Sequence, residues 1–148
     1  MNDFKQLDAQ FAAILQNLES SQRRKLAREV SIQLRAAHQK QIYSQRNPDG
    51  TRFEPRKLRA KQGSIRRTMF NKVRLSKWLK VESSADKAVV SFKDQVQRIM
   101  QVHQEGLRDK VFRDRDLTAK YPKRKTLGFN AQNIEMIRDI VIKHIAAS

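Results

Sequence analysis

The side chains that could carry out acid–base chemistry are dispersed along the sequence. General acid–base catalysis needs titratable groups held together within reach of a substrate, whereas the 15 Asp and Glu residues are scattered over polar stretches. Glu135 and Asp139 stand four residues apart, a spacing that is typical of a solvated helix face. The acidic residues therefore predict no catalytic pair.

Histidine, cysteine and glycine show no functional pattern either. The histidines lack the spacing of a motif such as H-E-x-x-H, and the isolated glycines form neither a phosphate-binding loop nor a dinucleotide fingerprint. These residues are His38, His103 and His144, and Gly50, Gly63, Gly106 and Gly128. Cysteine is absent, which suits a reducing cytoplasm. We predict that the protein is not an enzyme and uses no metal or cofactor.

The strongest signal is an excess of positive charge. The sequence has 32 Lys and Arg residues against 15 Asp and Glu, a formal net charge of +17. Most of the excess lies in two segments, with +10 over residues 52–80 and +5 over residues 108–125. Such charge predicts an anionic partner, which could be nucleic acid, a membrane surface or an acidic protein. No stretch approaches the roughly 18 apolar residues of a membrane span, so we expect no membrane contact.

The basic segments supply candidate contacts for phosphates or for a partner protein. They are Arg52, Arg56, Lys57, Arg59, Lys61, Arg66, Arg67 and Lys123. Phe53, Phe70 and Trp78 are interleaved with them and could stack on bases, yet a protein core would use the same aromatics. No helix-turn-helix, zinc finger or RNP signature is present. Non-specific DNA contact and docking on an acidic protein both remain open.

The N-terminal region is predicted to be helical. Residues 3–19 place Phe4, Leu7, Phe11, Ile14, Leu15 and Leu18 on one stripe, which predicts an amphipathic helix. Ser20-Ser21 is expected to break it and to cap a second helix over about residues 22–44. That helix is expected to face inward with Leu26, Val30, Leu34 and Ala37.

Turns, a hairpin and two further helices are expected in the rest of the chain. Pro48-Asp49-Gly50 predicts a tight turn, residues 57–62 and 65–72 could form helical turns, and residues 77–92 alternate like a β-hairpin. Asp94 is expected to cap a helix that stops at Gly106. A short strand is expected at Val111-Phe112 within a basic irregular stretch. Asn130 is expected to cap a last amphipathic helix that faces inward with Ile134, Ile137, Val141 and Ile145.

This order of elements predicts an α+β fold. We expect a single domain over residues 1–148. It would comprise a helical region (1–45), a basic loop region (46–76), and a region with the hairpin, a helix, a basic loop and the C-terminal helix (77–148).

Three short motifs occur in order. They are QRNPDGTRFEPR at residues 45–56, VHQEG at 102–106 and YPKRKTLGF at 121–129. This ordered set resembles the phage virion morphogenesis family, which includes the tail completion proteins of contractile-tailed phages. The resemblance covers essentially the whole chain. It departs at Phe53, where the family often has Trp.

The resemblance implies a structural role in assembly. The protein would complete the head-proximal end of the tail, allow head–tail joining, and act as a ring of copies, which in such proteins is often six-fold. Its partners would be the tail tube protein and neck or head-completion proteins, first in the host cytoplasm and then in the virion tail. The motif residues that the resemblance implies are Pro48, Asp49, Gly50, Phe53, Pro55, His103, Gly106, Pro122, Arg124, Leu127 and Gly128.

Overall fold

A computed structural model describes residues 16, 18–56, 68–111 and 116–147. Helix α1 (Ser20–Tyr43), helix α2 (Asp94–Glu105) and helix α3 (Ala131–Ala147) are accompanied by strands β1 (Leu79–Ser83), β2 (Ala88–Phe92), β3 (Arg108–Lys110) and β4 (Thr118–Lys120). The strands form two separate antiparallel pairs, β1–β2 and β3–β4. The α+β fold class is therefore confirmed.

Helix α1 is the element on which β1, β2 and α3 pack. It contacts β1, β2 and α3, and Leu26, Ser31, Leu34, His38 and Ile42 form its buried face. The predicted inward positions Leu26 and Leu34 are confirmed, and Val30 packs against the α1–α3 contact. The buried face continues to the end of the helix through His38, a polar residue that hydrophobic periodicity does not select.

The start of α1 differs from the prediction. Ser20 is the first helical residue instead of a break, and Glu19 is the N-cap residue. The Glu19 backbone N–H donates to Gln22 Oε1 at 3.1 Å, which satisfies an amide at the helix start. The helix predicted over residues 3–19 lies largely outside the described residues.

The core consists of two clusters. The core cluster comprises Ile42, Phe53, Met69, Phe70, Leu79, Phe92 and Met100. The helix cluster comprises Leu26, Ile137, Ile140 and Val141, and it joins the N-terminal half of α1 to α3. Ile137 and Val141 are buried as predicted, but Ile145 is exposed, because the buried stripe of α3 includes Ile140 and Asn133 instead.

The first hairpin is confirmed. Leu79 pairs with Phe92 and Val81 with Val90, so the two buried ends, Leu79 and Phe92, enter the core cluster together. Helix α2 begins at Asp94 with Lys93 as its N-cap residue, so Asp94 lies in the first turn, where its charge suits the helix dipole.

The basic stretch after α2 contains a second hairpin that sequence patterning missed. Arg108 pairs with Lys120 and Lys110 with Thr118. The short strand predicted around Val111-Phe112 therefore lies a few residues earlier, as β3, and Val111 is a bend after it. Polar residues make up most of both strands, so no alternation of apolar residues marks them. Phe112 and residues 57–67 lie outside the described residues, and Thr68–Phe70 are not helical.

Candidate docking surface at the motif junction

The first motif forms a closed loop between Arg46 and Arg52, which pair as an isolated antiparallel bridge. Gly50 has a φ of +89° and its N–H donates to the Asn47 carbonyl at 3.0 Å. The Asp49 carboxylate accepts from the Thr51 hydroxyl and from the Thr51 N–H, the latter at 2.9 Å. These two bonds lower the pKa of Asp49. The predicted turn is present, and hydrogen bonds within the loop hold it.

Phe53 and Pro55, which follow this loop, differ in burial. The Phe53 ring is buried and meets Phe70 edge-on, with ring centroids 5.7 Å apart. The Phe70 ring in turn contacts the His103 ring, with the centroids 5.0 Å apart. Phe53, the aromatic residue after the turn, therefore packs inside the fold. Pro55 is exposed, and its carbonyl accepts a hydrogen bond from Arg124.

The second motif closes helix α2. Gly106 is left-handed (φ +66°, ψ +50°) and its N–H donates to the Val102 carbonyl, the C-terminal stop predicted for it. A Cβ at Gly106 would stand 3.2 Å from Lys123 Cβ, so the third motif passes directly over the helix end. The His103 carbonyl accepts from the Arg124 N–H at 2.7 Å, which fixes this crossing.

Arg124 ties the three motifs together. The side chain is only 3% exposed. Its Nε donates to the Glu54 carbonyl at 2.7 Å, its Nη2 to the Pro55 carbonyl at 3.2 Å, and its Nη1 to His103 Nδ1 at 3.1 Å. A guanidinium can serve three acceptors in one plane, which a lysine ammonium cannot reproduce. We call this meeting of residues 45–56, 102–106 and 121–130 the motif junction.

The electrostatics of the motif junction keep His103 neutral. Burial, with the positive charges of Arg124 and Arg56, lowers its pKa to about 4. Because a guanidinium can only donate, the neutral ring carries its proton on Nε2 and accepts from Arg124 at Nδ1. The His103 ring also contacts the Tyr121 ring, with the ring centroids 5.2 Å apart. This histidine is therefore a structural hydrogen-bond acceptor at the centre of the motif junction.

Sequence reasoning missed two residues that hold the third motif. Gln104 Oε1 accepts from the N–H groups of Thr126 (2.9 Å) and Leu127 (3.2 Å), while its Nε2 donates to the Leu127 carbonyl at 2.8 Å. His38 Nε2 lies 2.9 Å from the Gly128 carbonyl and 3.2 Å from the Gly128 N–H. Gln104 belongs to the quoted motif and could have been found there, whereas nothing in the sequence links His38 to residue 128.

The loop and the third motif also bond directly. Asn47 Oδ1 accepts from the Lys125 N–H at 2.8 Å, and Asn130 Nδ2 donates to the Pro48 carbonyl at 3.3 Å. Asn130 Oδ1 accepts from the Asn133 N–H at 2.8 Å, which confirms Asn130 as the cap of α3. Leu127 packs against the core cluster, and Pro122 is half-buried.

The candidate contact residues divide by position. Arg52, Arg56 and Lys123 are exposed and stand on the two segments that Arg124 joins; we call them the basic patch. Within the described part of the chain none of the three forms an ion pair, since the ion pairs found there involve other residues. Lys57, Arg59, Lys61, Arg66 and Arg67 lie outside the described residues.

Acid and histidine groups do not assemble into a metal site in the part of the chain that the structure describes, where no three His, Asp or Glu side chains are placed to hold an ion. Glu29 receives hydrogen bonds from His144 Nε2 and Lys143 Nζ, which lower the pKa of its carboxyl. These two bonds link α1 to α3.

No helix among the described residues is long and apolar enough to cross a membrane.

Comparison with known proteins gives one consistent result. The model of the phage virion morphogenesis family matches residues 2–146. Tail completion protein S of Escherichia phage P2 is 33% identical over 149 residues, a match that covers 98% of this chain and 99% of that protein. No solved structure matches the chain significantly.

Proposed function

The chain belongs to the phage virion morphogenesis family, and we propose that it completes the head-proximal end of a phage tail so that the tail can join a filled head. The observation that carries this proposal is its similarity, along nearly the whole length of both chains, to a protein named for tail completion. The protein would assemble in the host cytoplasm and remain in the virion tail.

The chemistry of the motif junction supports a docking role in preference to catalysis. Its polar side chains Arg124, His103 and Gln104, the first two of which are buried, are hydrogen-bonded to one another or to backbone groups. What the junction offers to a partner is the exposed basic patch on a frame fixed by these bonds. A rigid frame lowers the ordering cost of binding, so the junction suits docking on an acidic surface of the tail tube or a neck protein.

Assembly as a ring is part of this proposal. A single 148-residue chain is small beside the end of a tail tube, and copies that repeat around the tube axis would present the basic patch at each position. Cyclic symmetry is the common way in which one interface closes a set of identical chains. A six-fold ring would match a six-fold tube.

A genetic experiment tests the proposed function. Disrupting the gene in the phage should leave filled heads and separate tails in the lysate, visible by negative-stain electron microscopy, and the intact gene supplied in trans should restore infectious particles. If the disrupted phage produced joined, infectious particles, the proposal would be wrong.

A charge-reversal variant tests the docking surface. Arg52→Glu, Arg56→Glu and Lys123→Glu together should abolish complementation in trans, because the patch would then repel an acidic partner. The matched control reverses three exposed charges elsewhere, Lys25→Glu, Lys87→Glu and Arg138→Glu, and should complement. Equal complementation by both variants would exclude the basic patch as the docking surface.

DNA binding is the competing outcome. The same variants should then differ in affinity for duplex DNA, with a steep dependence on salt concentration, because each phosphate contact releases a counterion. Loss of DNA affinity with normal tail joining would assign the patch to nucleic acid instead.

A further inference from the structure

One face of the β3–β4 hairpin is basic. Successive residues of a strand alternate between its two faces, and in both strands of this hairpin the outer positions are exposed and the middle one is half-buried. We call the exposed side the hairpin face; it consists of Arg108 and Lys110 in β3 and of Thr118 and Lys120 in β4. The acid of β3, Asp109, lies on the other side, so the hairpin separates its cations from its acid.

Arg108 and Lys120 stand directly opposite each other across the hairpin. The backbone bond beside this pair runs from the Tyr121 N–H to the Leu107 carbonyl. Positions 108 and 120 therefore form a non-hydrogen-bonded pair, the kind whose side chains come closest, with Cα atoms about 4.5 Å apart. Because like charges directly opposite each other are destabilising, the fold holds these two cations together at a cost to its own stability.

The acids near the hairpin face leave this pair of cations uncompensated. Neither cation of the pair forms an ion pair with another described residue. Asp109 is bonded to helix α2 at 2.9 Å, and Asp116 lies 3.7 Å from Lys110 in an exposed pair. Glu105 lines the same shallow depression as Lys120 without pairing with it. An anion from outside the chain would remove the repulsion.

The composition of the hairpin face indicates nucleic acid as the source of that anion. Protein interfaces are built around buried aromatic or apolar anchors, whereas protein–DNA interfaces are more polar and much more positively charged. The hairpin face offers three cations and one hydroxyl, groups that bond to phosphate oxygens. It has no aromatic ring on which the bases of a single strand could stack, which favours a duplex.

The shape of the hairpin also suits duplex DNA. The major groove of B-form DNA is about 12 Å wide and admits a two-stranded β-ribbon, whereas the major groove of an RNA duplex is too narrow for side chains to read. Strands β3 and β4 form a sheet of two strands only among the described residues. The ribbon is therefore not widened there by a third strand.

We propose that the hairpin face binds duplex DNA through the phosphates that border the major groove. Arg108 and Lys120 would each neutralise a phosphate, and the repulsion between them would disappear on binding. This inference goes beyond the proposed function, which requires only contacts between proteins, and it concerns a different surface from the basic patch.

The salt dependence of DNA binding tests the proposal. The full chain is titrated into a short duplex of mixed sequence, and binding is followed by fluorescence anisotropy at several salt concentrations. Each phosphate contact contributes about 0.9 to the slope of log affinity against log salt concentration, so Arg108→Gln with Lys120→Gln, the hairpin variant, should reduce the slope by about 1.8. The matched control removes the same charges at exposed positions elsewhere, with Arg138→Gln and Lys87→Gln, and should leave the slope unchanged.

Two further measurements separate the proposed contact from general attraction by net charge. The hairpin variant should have an unchanged or higher midpoint of urea denaturation, because a repulsive pair has been removed. An RNA duplex of the same sequence should bind the native protein more weakly than DNA does, with a slope that the hairpin variant does not change, because the ribbon cannot enter its major groove.

Several outcomes would overturn the inference. Equal changes of slope in the hairpin variant and the control would mean that net charge alone attracts DNA, and an unchanged slope in both would mean that the hairpin does not touch it. A lower urea midpoint would show that the pair is not repulsive, and an equal loss of slope with RNA would contradict the major-groove contact. Normal DNA binding by a hairpin variant that fails to restore tail joining would assign the face to a protein. The gene-disruption experiment is independent of these results, so failure here leaves the proposed function standing.

Discussion

Gly128 lies so close to Pro48 that a Cβ at position 128 would stand 2.8 Å from Pro48 Cγ. A side chain at position 128 in the third motif would therefore require the Pro48 ring of the first motif, or one of the two segments, to shift. The contact brings together two residues that are 80 positions apart in the sequence.

Replacing Gly128 with alanine should destabilise the protein by overpacking this contact. We expect Gly128→Ala to lower the free energy of unfolding, measured by urea denaturation, by about 1–3 kcal/mol. In a Pro48→Ala background the ring is gone, and the same substitution should cost at least about 0.5 kcal/mol less. Additive effects of the two substitutions would show that the Pro48 ring is not what excludes a side chain at position 128.

Replacing Arg124 with lysine should loosen the segment after the first motif although the charge is kept. One ammonium cannot reach the Glu54 carbonyl, the Pro55 carbonyl and His103 Nδ1 together. We expect Arg124→Lys to lower the free energy of unfolding by about 2–4 kcal/mol. Hydrogen exchange should accelerate at the Phe53 amide, which donates to the Gln45 carbonyl. The exposed neighbour is the control: Lys123→Met should shift stability by less than about 0.5 kcal/mol.

Replacing Gln104 with alanine should release the third motif from the end of α2. The N–H groups of Thr126 and Leu127 would lose their shared acceptor, and Thr126 is 1% exposed. Unmade hydrogen bonds at such a site cost about 1–3 kcal/mol, which denaturant titration would detect. Gln101 lies one turn earlier on the exposed side of α2, and Gln101→Ala should be nearly neutral. A neutral Gln104→Ala would mean that water replaces the amide.

The order of elements was predictable because local signals mark them. Apolar residues at helical spacing mark α1 and α3, alternation marks β1 and β2, and Gly106 marks the end of α2. The contacts at the motif junction were not predictable from spacing, since they join polar residues that are far apart in sequence, such as His38 with Gly128. The segments that the resemblance singled out are the ones that meet at the motif junction, and these hydrogen bonds join them.

The structure differs from the sequence predictions at the β3–β4 hairpin and at the start of α1, in each case for a physical reason. The hairpin of β3 and β4 has mostly polar residues in both strands, so its pairing depends on backbone bonds such as Tyr121 N–H to the Leu107 carbonyl at 3.0 Å. The start of α1 was placed too late because serine is favoured as a cap, whereas Glu19 with Gln22 supplies the cap here.

The neutral state of His103 makes stability depend on pH. Its pKa is about 4 in the folded protein because of burial and the charges of Arg124 and Arg56, against about 6.5 in an unfolded chain. Between these values the unfolded chain binds a proton that the folded protein does not. The contribution of His103 is therefore fully present above about pH 6.5 and is lost progressively as the pH falls toward 4.

Removing the titration of His103 should flatten this dependence. In the native protein the free energy of unfolding should decrease between pH 7 and pH 5 by about 1–2 kcal/mol through this group. His103→Gln retains an acceptor for Arg124 but cannot titrate, so its loss over the same interval should be smaller by that amount. Urea denaturation at both pH values measures the difference, and Gln101→Ala, at an exposed position of the same helix, is the control. Parallel pH profiles for the native protein and His103→Gln would refute the assignment of a depressed pKa to His103.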